Sequence, residues 1–387
     1  MKLLLLGGSN SRNSGGVFDT ARMMGLRLHE HNNINVEYLM FDDEYSQEDR
    51  KYYSPLTVHS YRIRGPKNLG LSADLYKQMK SIKPDIVHTQ SLWMYLSYAN
   101  KKYHRYTGTP YIISPHGMLD KWQLRQSFWK DVKKRIVLGL YEKKHMEEAS
   151  CFHALCQEEH DAIREFGLKN PIAIIPNGIE ECSQDSPGKM AGADPHKKKL
   201  LFLGRIHPKK GLDNLLEGWA LSGAGDKWQL IIAGETKDNA YMQFLKTKAR
   251  DLKIDESVAF IGGQFGAAKQ SCFYNCDAFI LPSFSEGLPI SVLEAWSYRL
   301  PVLMTPQCNL AVGFAHNAAI RTETDPYSIC DGIQQLVDMP AIERLRMGQQ
   351  GFQLVKKTFS WTNVADSMTQ LYNWVLGKTV KPAFVHT

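Results

Sequence analysis

The stretch Asp277–Thr305, DAFILPSFSEGLPISVLEAWSYRLPVLMT, decides how the rest of the chain reads. Its apolar run 278–282 has the length of a buried strand, and Ser283-Phe284-Ser285-Glu286-Gly287 breaks it. Pro289 suits the first turn of a helix, where its missing N–H leaves nothing unsatisfied. The apolar pattern of that helix runs through Ile290, Val292, Leu293, Ala295 and Trp296 to Arg299, and Pro301-Val302-Leu303 opens the next strand. Two acids, Glu286 before the helix and Glu294 inside it, stand eight residues apart. At a rise of about 1.5 Å per residue, Glu294 falls roughly 9–12 Å below the helix mouth. That separation is too long for two carboxylates flanking one scissile bond in the manner of a retaining glycosidase. It fits a long polar ligand lying along the helix start. An anionic group such as phosphate would sit at the amides of 287–290, with a carboxylate at each end accepting hydroxyl hydrogen bonds.

The same grammar opens the chain. Lys2–Leu6 reads as a strand, residues 7–16 (GGSNSRNSGG) as a loop, and Val17, Ala21, Met24 and Leu28 as one face of a helix. There is no G-x-G-x-x-G and no Walker lysine, so dinucleotide and P-loop readings are both weak. Gly15 and Gly16 at the helix start either let backbone amides approach a phosphate or sugar, or form a plain turn. Further strands are expected near 34–40, 57–63, 85–89, 110–114, 150–155 and 171–175, with helix-like segments between most of them. Such alternation implies a parallel sheet covered on both faces, with ligands beyond the carboxyl ends of its strands. His88, Gln90 and Trp93 fall at one such end, and His116 falls at another, in the turn Ser114-Pro115-His116-Gly117-Met118.

After Pro176-Asn177-Gly178-Ile179, residues 180–199 lack an apolar period and read as a linker or surface loop. Then the opening repeats: strand Leu200–Leu203, loop Gly204–Gly211, helix 212–221, and strands near 228–234, 257–262, 278–282 and 301–305. The expected architecture is α/β, with two Rossmann-like domains facing each other across a cleft and divided near residue 178. The second rim carries Arg205, Lys210 and the turn Gly262-Gly263-Gln264. The guanidinium and ammonium groups of Arg205 and Lys210 offer donors and no acceptor, the chemistry that grips a diphosphate. Past 310 the pattern supports helices at 326–338 and 341–357 and a last helix from Trp361 to about residue 376, with Ser360 as its cap.

Composition narrows the class. A chain of 387 residues, 43% hydrophobic and 22% charged, is an ordinary globular protein of two or more domains. The net charge of +7 suits an anionic ligand or surface, and a solvated basic face equally well. Cysteines 151, 156, 182, 272, 276, 308 and 330 are scattered and form no C-x-x-C pair, and Cys272 and Cys276 lie in a helix-like segment without nearby histidines, so no metal site is expected. Their odd number, the short apolar run at Leu3–Leu6 and the lack of any membrane-spanning window point to a reducing cytoplasm. Residues 121–146 hold eight Lys and Arg against two acids, interleaved with Trp122, Phe128, Trp129, Val132, Ile136, Leu140 and Tyr141. This is either an amphipathic surface helix with its stripe in the core, or a peripheral contact with the inner face of a membrane. Nucleic acid is not expected, since no recognised binding module accompanies the basic run.

Five motifs in order now resemble one family. The Gly15-Gly16 loop, Ser114-Pro115-His116-Gly117, Pro176-Asn177-Gly178-Ile179, Gly204-Arg205 through Lys210-Gly211, and Glu286-Gly287-Leu288-Pro289 with Glu294 resemble the retaining nucleotide-sugar glycosyltransferases of GT-B fold, family 4 (group 1). The resemblance implies that Arg205 and Lys210 bind the donor diphosphate, Glu294 the ribose, and Glu286 the transferred sugar. It implies that the backbone around Gly287, Leu288, Pro289 and Ile290 reaches sugar or phosphate, and that of Gly263 and Gln264 reaches the base. Gly15 and Gly16 approach the donor from the first domain, and His116 contacts the sugar's 6-hydroxyl side. The final helix returns to the first domain, so that 1–178 with 361–387 takes the acceptor and 179–360 the donor. His88 and Trp93 are placed toward the acceptor, a glycan or lipid-linked saccharide. The implied donor is a UDP-sugar, UDP-glucose first, used without cofactor or metal: Asp42-Asp43 are adjacent in a polar loop and form no metal motif at a strand end. A nucleotide-sugar-binding sensor and a GT-B-like epimerase or phosphorylase are the alternatives.

Overall fold

The computed structural model describes residues 1–14, 16–66, 69–119, 136–180, 194–236 and 238–387. They form two compact units, Met1–Gly178 with Trp361–Thr387, and Ile179–Ser360.

In the first unit, strands β1 (Lys2–Ser9), β2 (Asn35–Phe41), β3 (Thr57–Tyr61), β4 (Ile86–Thr89), β5 (Tyr111–Ile113), β6 (Cys151–Ala154) and β7 (Ile172–Ile174) are all parallel. A two-residue strand, β14 (Val385–His386), adds antiparallel to β7, and the order is β14-β7-β6-β5-β4-β1-β2-β3. Parallel strands covered on both faces read as continuous apolar runs, and Leu3, Leu4, Leu5 and Leu6 are all fully buried. Their alternation sorts the layers. Leu4 and Leu6 pack with Leu75, Met79 and Leu96 from the helices Leu75–Ile82 and Tyr95–Thr107. Leu3 and Leu5 face the opposite layer, built from Phe18, Met24 and Leu28 of the helix Gly16–Asn32 and from Val364, Met368 and Tyr372 of the last helix, Trp361–Val375.

The second unit holds β8 (Lys198–Leu203), β9 (Trp228–Ala233), β10 (Val258–Gly262), β11 (Ala278–Leu281), β12 (Val302–Met304) and β13 (Ala319–Arg321). The sheet is parallel throughout, in the order β10-β9-β8-β11-β12-β13. In each sheet the unit's first strand is central, and the order reverses beside it, between β1 and β4 and between β8 and β11. Those reversals are where loops diverge above the strand ends and leave room for a ligand.

Several local readings need correction. β13 and β14 escaped the sequence reading because three and two residues carry too little pattern. The helix after Glu286 starts at Ile290, and Pro289 precedes it as an extended cap. The helix expected to reach 357 ends at Leu354 and gives way to a wider turn, Val355–Phe359. Asp42 and Asp43 directly follow β2 and so do stand at a strand end. Of the basic stretch 121–146, residues up to 135 lie outside the described residues, as do Gly15, Cys182 and most of the 180–199 segment. In its described part Val137 and Met146 are buried, while Ile136 and Leu140 are exposed. Among the described residues no helix is long and apolar enough to cross a membrane.

One close approach holds the ends of β8 and β9 together. A Cβ on Gly234 would lie 1.9 Å from the carbonyl oxygen of Gly204, a backbone atom with no freedom to move aside. Gly234→Ala is therefore expected to cost the second unit about 2 kcal/mol or more, lowering its melting temperature by roughly 4–8 °C in a calorimetric scan.

Candidate functional site

The rim of the second sheet is built where β8 and β11 end. Gly211 has φ +69°, and a Cβ there would meet the Pro282 carbonyl oxygen at 2.3 Å, so glycine alone lets the two loops touch. The Phe284 N–H donates to Lys209 O (2.9 Å), and the Glu286 N–H to Gln307 O (2.9 Å). Thr305 Oγ1 donates to Ser283 O (2.7 Å), and Asn309 Nδ2 donates to the carbonyls of Glu286 (2.8 Å) and Gly287 (3.2 Å). Residues 283–287 are thus tied to two neighbouring segments, the loop at Lys209 and the stretch 305–309, before any ligand is considered.

Into this frame the charged residues project. Lys210 Nζ lies 2.5 Å from Glu286 Oε1, with side chains only 15% and 12% exposed, and Ser283 Oγ donates to the same oxygen. Lys210 and Glu286, read from sequence as facing different parts of one ligand, hold each other. Glu294 is paired with Lys269 of the helix Gly266–Tyr274, a partner the sequence reading missed because 25 residues separate them. Arg205 is exposed and has no hydrogen-bond or ion-pair partner among the described residues. Gly263 lies so close to Glu235 that a Cβ would meet its Cγ at 2.4 Å, and Gln264 Nε2 donates to Ile261 O (2.8 Å). Glu235, just past β9, is a further acid at this rim that the sequence reading passed over.

In the first unit, His116 stands just beyond β5 at φ +49°, a left-handed conformation uncommon for a histidine. Its Nε2 meets Gln90 Oε1 at 2.8 Å, and Glu159 Oε1 accepts from the next amide, Gly117 N (2.6 Å). The other amide atom, Gln90 Nε2, is buried without a partner among the described residues. Burial, with His153 adding to it, lowers His116 to about 3, so the ring is neutral. Nε2–H then donates to Gln90, leaving the Nδ1 lone pair as an acceptor.

The loop after β1 is framed by the acids after β2. Asp43 accepts from Ser9 Oγ (2.5 Å), Ser11 Oγ (2.6 Å) and Asn13 Nδ2 (3.1 Å), and Asp42 from Asn10 Nδ2 (2.8 Å). Burial raises the Asp43 carboxyl, but the hydroxyls of Ser11 and Ser9 outweigh it and bring the group down to about 2. These acids shape the loop, and among the described residues no cluster of three potential metal ligands occurs. Gly16 is the first residue of the helix Gly16–Asn32.

His88 and Trp93 do not form a saccharide surface. His88 is fully buried, with Nδ1 on Tyr372 Oη (2.8 Å) and Nε2 on Ser114 Oγ (2.7 Å). Trp93 is 7% exposed at φ +66°, its N–H donates to Glu142 Oε2 (3.0 Å), and its ring packs edge-on against Phe166. Trp93 follows β4, but His88 lies within the strand and not past its end, and both side chains turn into the core.

Two parallel Rossmann-like units, each with a polar rim at its central strand, define the GT-B fold. Solved structures agree: HepE of Anabaena, in complex with UDP, superposes with a TM-score of 0.75 at 16% identity, covering 97% of this chain and 100% of that one. Sucrose-phosphate synthase from Thermosynechococcus elongatus gives 0.73 at 16%, covering 98% and 100%. Residues 14–181 match the family model for Glycosyltransferase Family 4, and residues 189–354 that for Glycosyl transferases group 1. The chain belongs to this glycosyltransferase family. Mannosylfructose-phosphate synthase of Agrobacterium fabrum is 26% identical over 240 residues, 57% of this chain and 51% of that protein. D-inositol 3-phosphate glycosyltransferase of Corynebacterium glutamicum is 24% identical over 208 residues, 52% and 49%. The chain spans about half the length of these curated relatives.

The buried rings give a pH signature. Burial lowers His116 to about 3 and His153 to about 4, and pushes His88 well below its ordinary 6.5. The unfolded chain binds these protons near its ordinary value and the folded chain does not, so acid favours unfolding. Stability is expected to be full above about pH 6.5 and to fall steadily toward about pH 4; Asp43 adds a loss only below 3.8. Denaturant titrations across that range check this, and His153→Gln is expected to flatten the slope.

Proposed function

We propose that the protein is a retaining, metal-independent glycosyltransferase that moves a hexose from a UDP-sugar, UDP-glucose first, to a glycan or lipid-linked saccharide. The observation that carries the reading is the knot Lys210–Glu286–Ser283 at the β8–β11 reversal, with Arg205, which has no ion-pair partner among the described residues, on the loop after β8.

Cleaving a sugar–diphosphate bond demands, above all, charge stabilisation on the departing nucleotide. Arg205 supplies an exposed cation with no competing partner among the described residues. Lys210 has three N–H donors, so it reaches a phosphate oxygen while keeping Glu286 oriented. The start of the helix Ile290–Ser297 adds its positive end, through the backbone at Gly287, Leu288 and Ile290 beside Pro289. Glu286 accepts from hydroxyls of the sugar, and Glu294, kept in place by Lys269, from those of the ribose. Gly263 and Gln264 receive the base, and Gly15 and Gly16 approach the donor from the first unit. His116, neutral and with Nδ1 free to accept, takes the sugar's 6-hydroxyl. Glu286 is engaged by Lys210 and Ser283, which argues against it as a nucleophile. The acceptor hydroxyl therefore attacks from the face the nucleotide leaves, and the leaving phosphate takes its proton. The complexes of HepE with UDP and with UDP-glucose support a donor of that class in this fold. We place the reaction in the cytoplasm, with the basic segment 121–146 serving a membrane-linked acceptor.

Thermal-shift and hydrolysis screens across UDP-, GDP- and ADP-sugars test this. A UDP-sugar at 100 times its dissociation constant is expected to stabilise the fold by about 2.7 kcal/mol. Arg205→Ala is expected to leave the unfolding free energy within about 0.5 kcal/mol while lowering kcat/KM by roughly 10²–10³. Lys210→Ala loses turnover too, but also destabilises the fold, because it leaves Glu286 without its cation. No stabilisation by any nucleotide sugar overturns the proposal; stabilisation without turnover makes the chain a sensor.

A further inference from the structure

Three adjacent strands of the first sheet each carry a polar residue where the layer is otherwise apolar. His88 of β4, Ser114 just past β5 and His153 of β6 lie between 0% and 4% exposed, on the face covered by the last helix. Their neighbours in that layer are Ile86, Ile112, Ala173 and Met368. Tyr372 Oη meets His88 Nδ1 at 2.8 Å, His88 Nε2 meets Ser114 Oγ at 2.7 Å, Ser114 Oγ meets His153 Nδ1 at 2.7 Å, and His153 Nε2 meets Ile175 O at 2.8 Å.

The direction of this chain follows from its end. The Ile175 carbonyl has no proton, so His153 Nε2 must donate, and Nδ1 of the neutral ring must accept. The single Ser114 proton therefore goes to His153, which leaves the Ser114 oxygen to accept from His88 Nε2–H. His88 Nδ1 then accepts from the Tyr372 hydroxyl. Every group is satisfied in one arrangement, and reversing any link strands a lone pair or a proton in the core.

Ser114 is also where the His116 turn begins. Its N–H donates to Thr89 O (2.8 Å), and Met118 N closes the turn onto Pro115 O (3.0 Å). Only Pro115, whose φ is fixed by its ring, separates Ser114 from His116. A displacement of the Ser114 side chain thus passes to the imidazole with little slack.

We propose that Tyr372, His88, Ser114 and His153 are positioning residues: a one-directional hydrogen-bond chain, anchored on the last helix, that sets the geometry of the His116 turn for transfer. The proposal rests on the reading of His116 as the group that meets the donor sugar.

Tyr372→Phe tests it by removing one oxygen and no apolar surface. The variant is expected to fold and to keep its donor KM within about twofold, while kcat for donor hydrolysis falls roughly tenfold or more. His153→Gln, which can still accept from Ser114 and donate to Ile175 O, is expected to retain far more turnover than His153→Leu. Long-range ¹H–¹⁵N correlation spectra of the imidazoles give a reading independent of substrate. His88, His116 and His153 are all expected as Nε2–H tautomers, with the His116 signals shifting in Tyr372→Phe. Unmoved His116 signals overturn the coupling whatever the turnover. Normal kcat in Tyr372→Phe beside an inactive His116→Ala overturns the positioning role and leaves the assignment of His116 standing. Normal turnover in His116→Ala overturns that assignment, and with it any role of the chain in transfer.

Discussion

The contact on which the second unit's polar rim depends is the approach of two loops at the reversal between β8 and β11. Gly211 carries no Cβ and sits in a left-handed conformation, which lets the loop after β8 reach the Pro282 carbonyl. With that approach made, Phe284 bonds to Lys209, and Lys210 comes within 2.5 Å of Glu286. A larger residue at 211 would separate the loops and leave a partly buried carboxylate and ammonium unpaired, which is expensive. The backbone constraint thus comes first, and the charge pairing follows from it.

The first unit solves the equivalent problem with polar side chains. Its central strand ends in a loop of glycine, serine, asparagine and one arginine that has no apolar residue to anchor it. Two carboxylates just past the neighbouring strand, Asp42 and Asp43, hold it through serine hydroxyls and asparagine amides. Next along the sheet, the His116 turn is held from below by Ser114 and from the sides by Gln90 and Glu159. In both units the polar groups of the rim ride on loops whose positions are set by the strands beneath them, and this is why a parallel sheet suits a polar ligand at its carboxyl edge.

Burial separates readings that sequence left side by side. In sequence His88 and His116 are both candidates for ligand contact, yet one lies within β4 and the other past β5. The period of two along β4 turns His88 toward the last helix, where Tyr372 and Ser114 occupy both ring nitrogens. His116 lies past the end of β5, in a turn, and only its Nε2 is engaged by the described residues. Trp93 likewise looked like a saccharide platform, yet its left-handed backbone and the Glu142 carboxylate fold the ring inward.

The alternation of apolar runs and helical periods, and the loop grammar repeated at residues 7–16 and 204–211, were enough to determine two parallel α/β units and the strand ends that matter, because strand burial and loop chemistry are local properties. The spacing of Glu286 and Glu294 likewise marked a polar rim. Only the tertiary structure decided which groups meet. Lys269 reaches Glu294, Lys210 reaches Glu286, and Asp43 frames a loop some 30 residues upstream. The hydrogen-bond chain from Tyr372 to His153 joins residues far apart in sequence through three strands and a helix. No local pattern records such pairings, because they arise from strand order, and strand order is settled by the packing of the whole sheet.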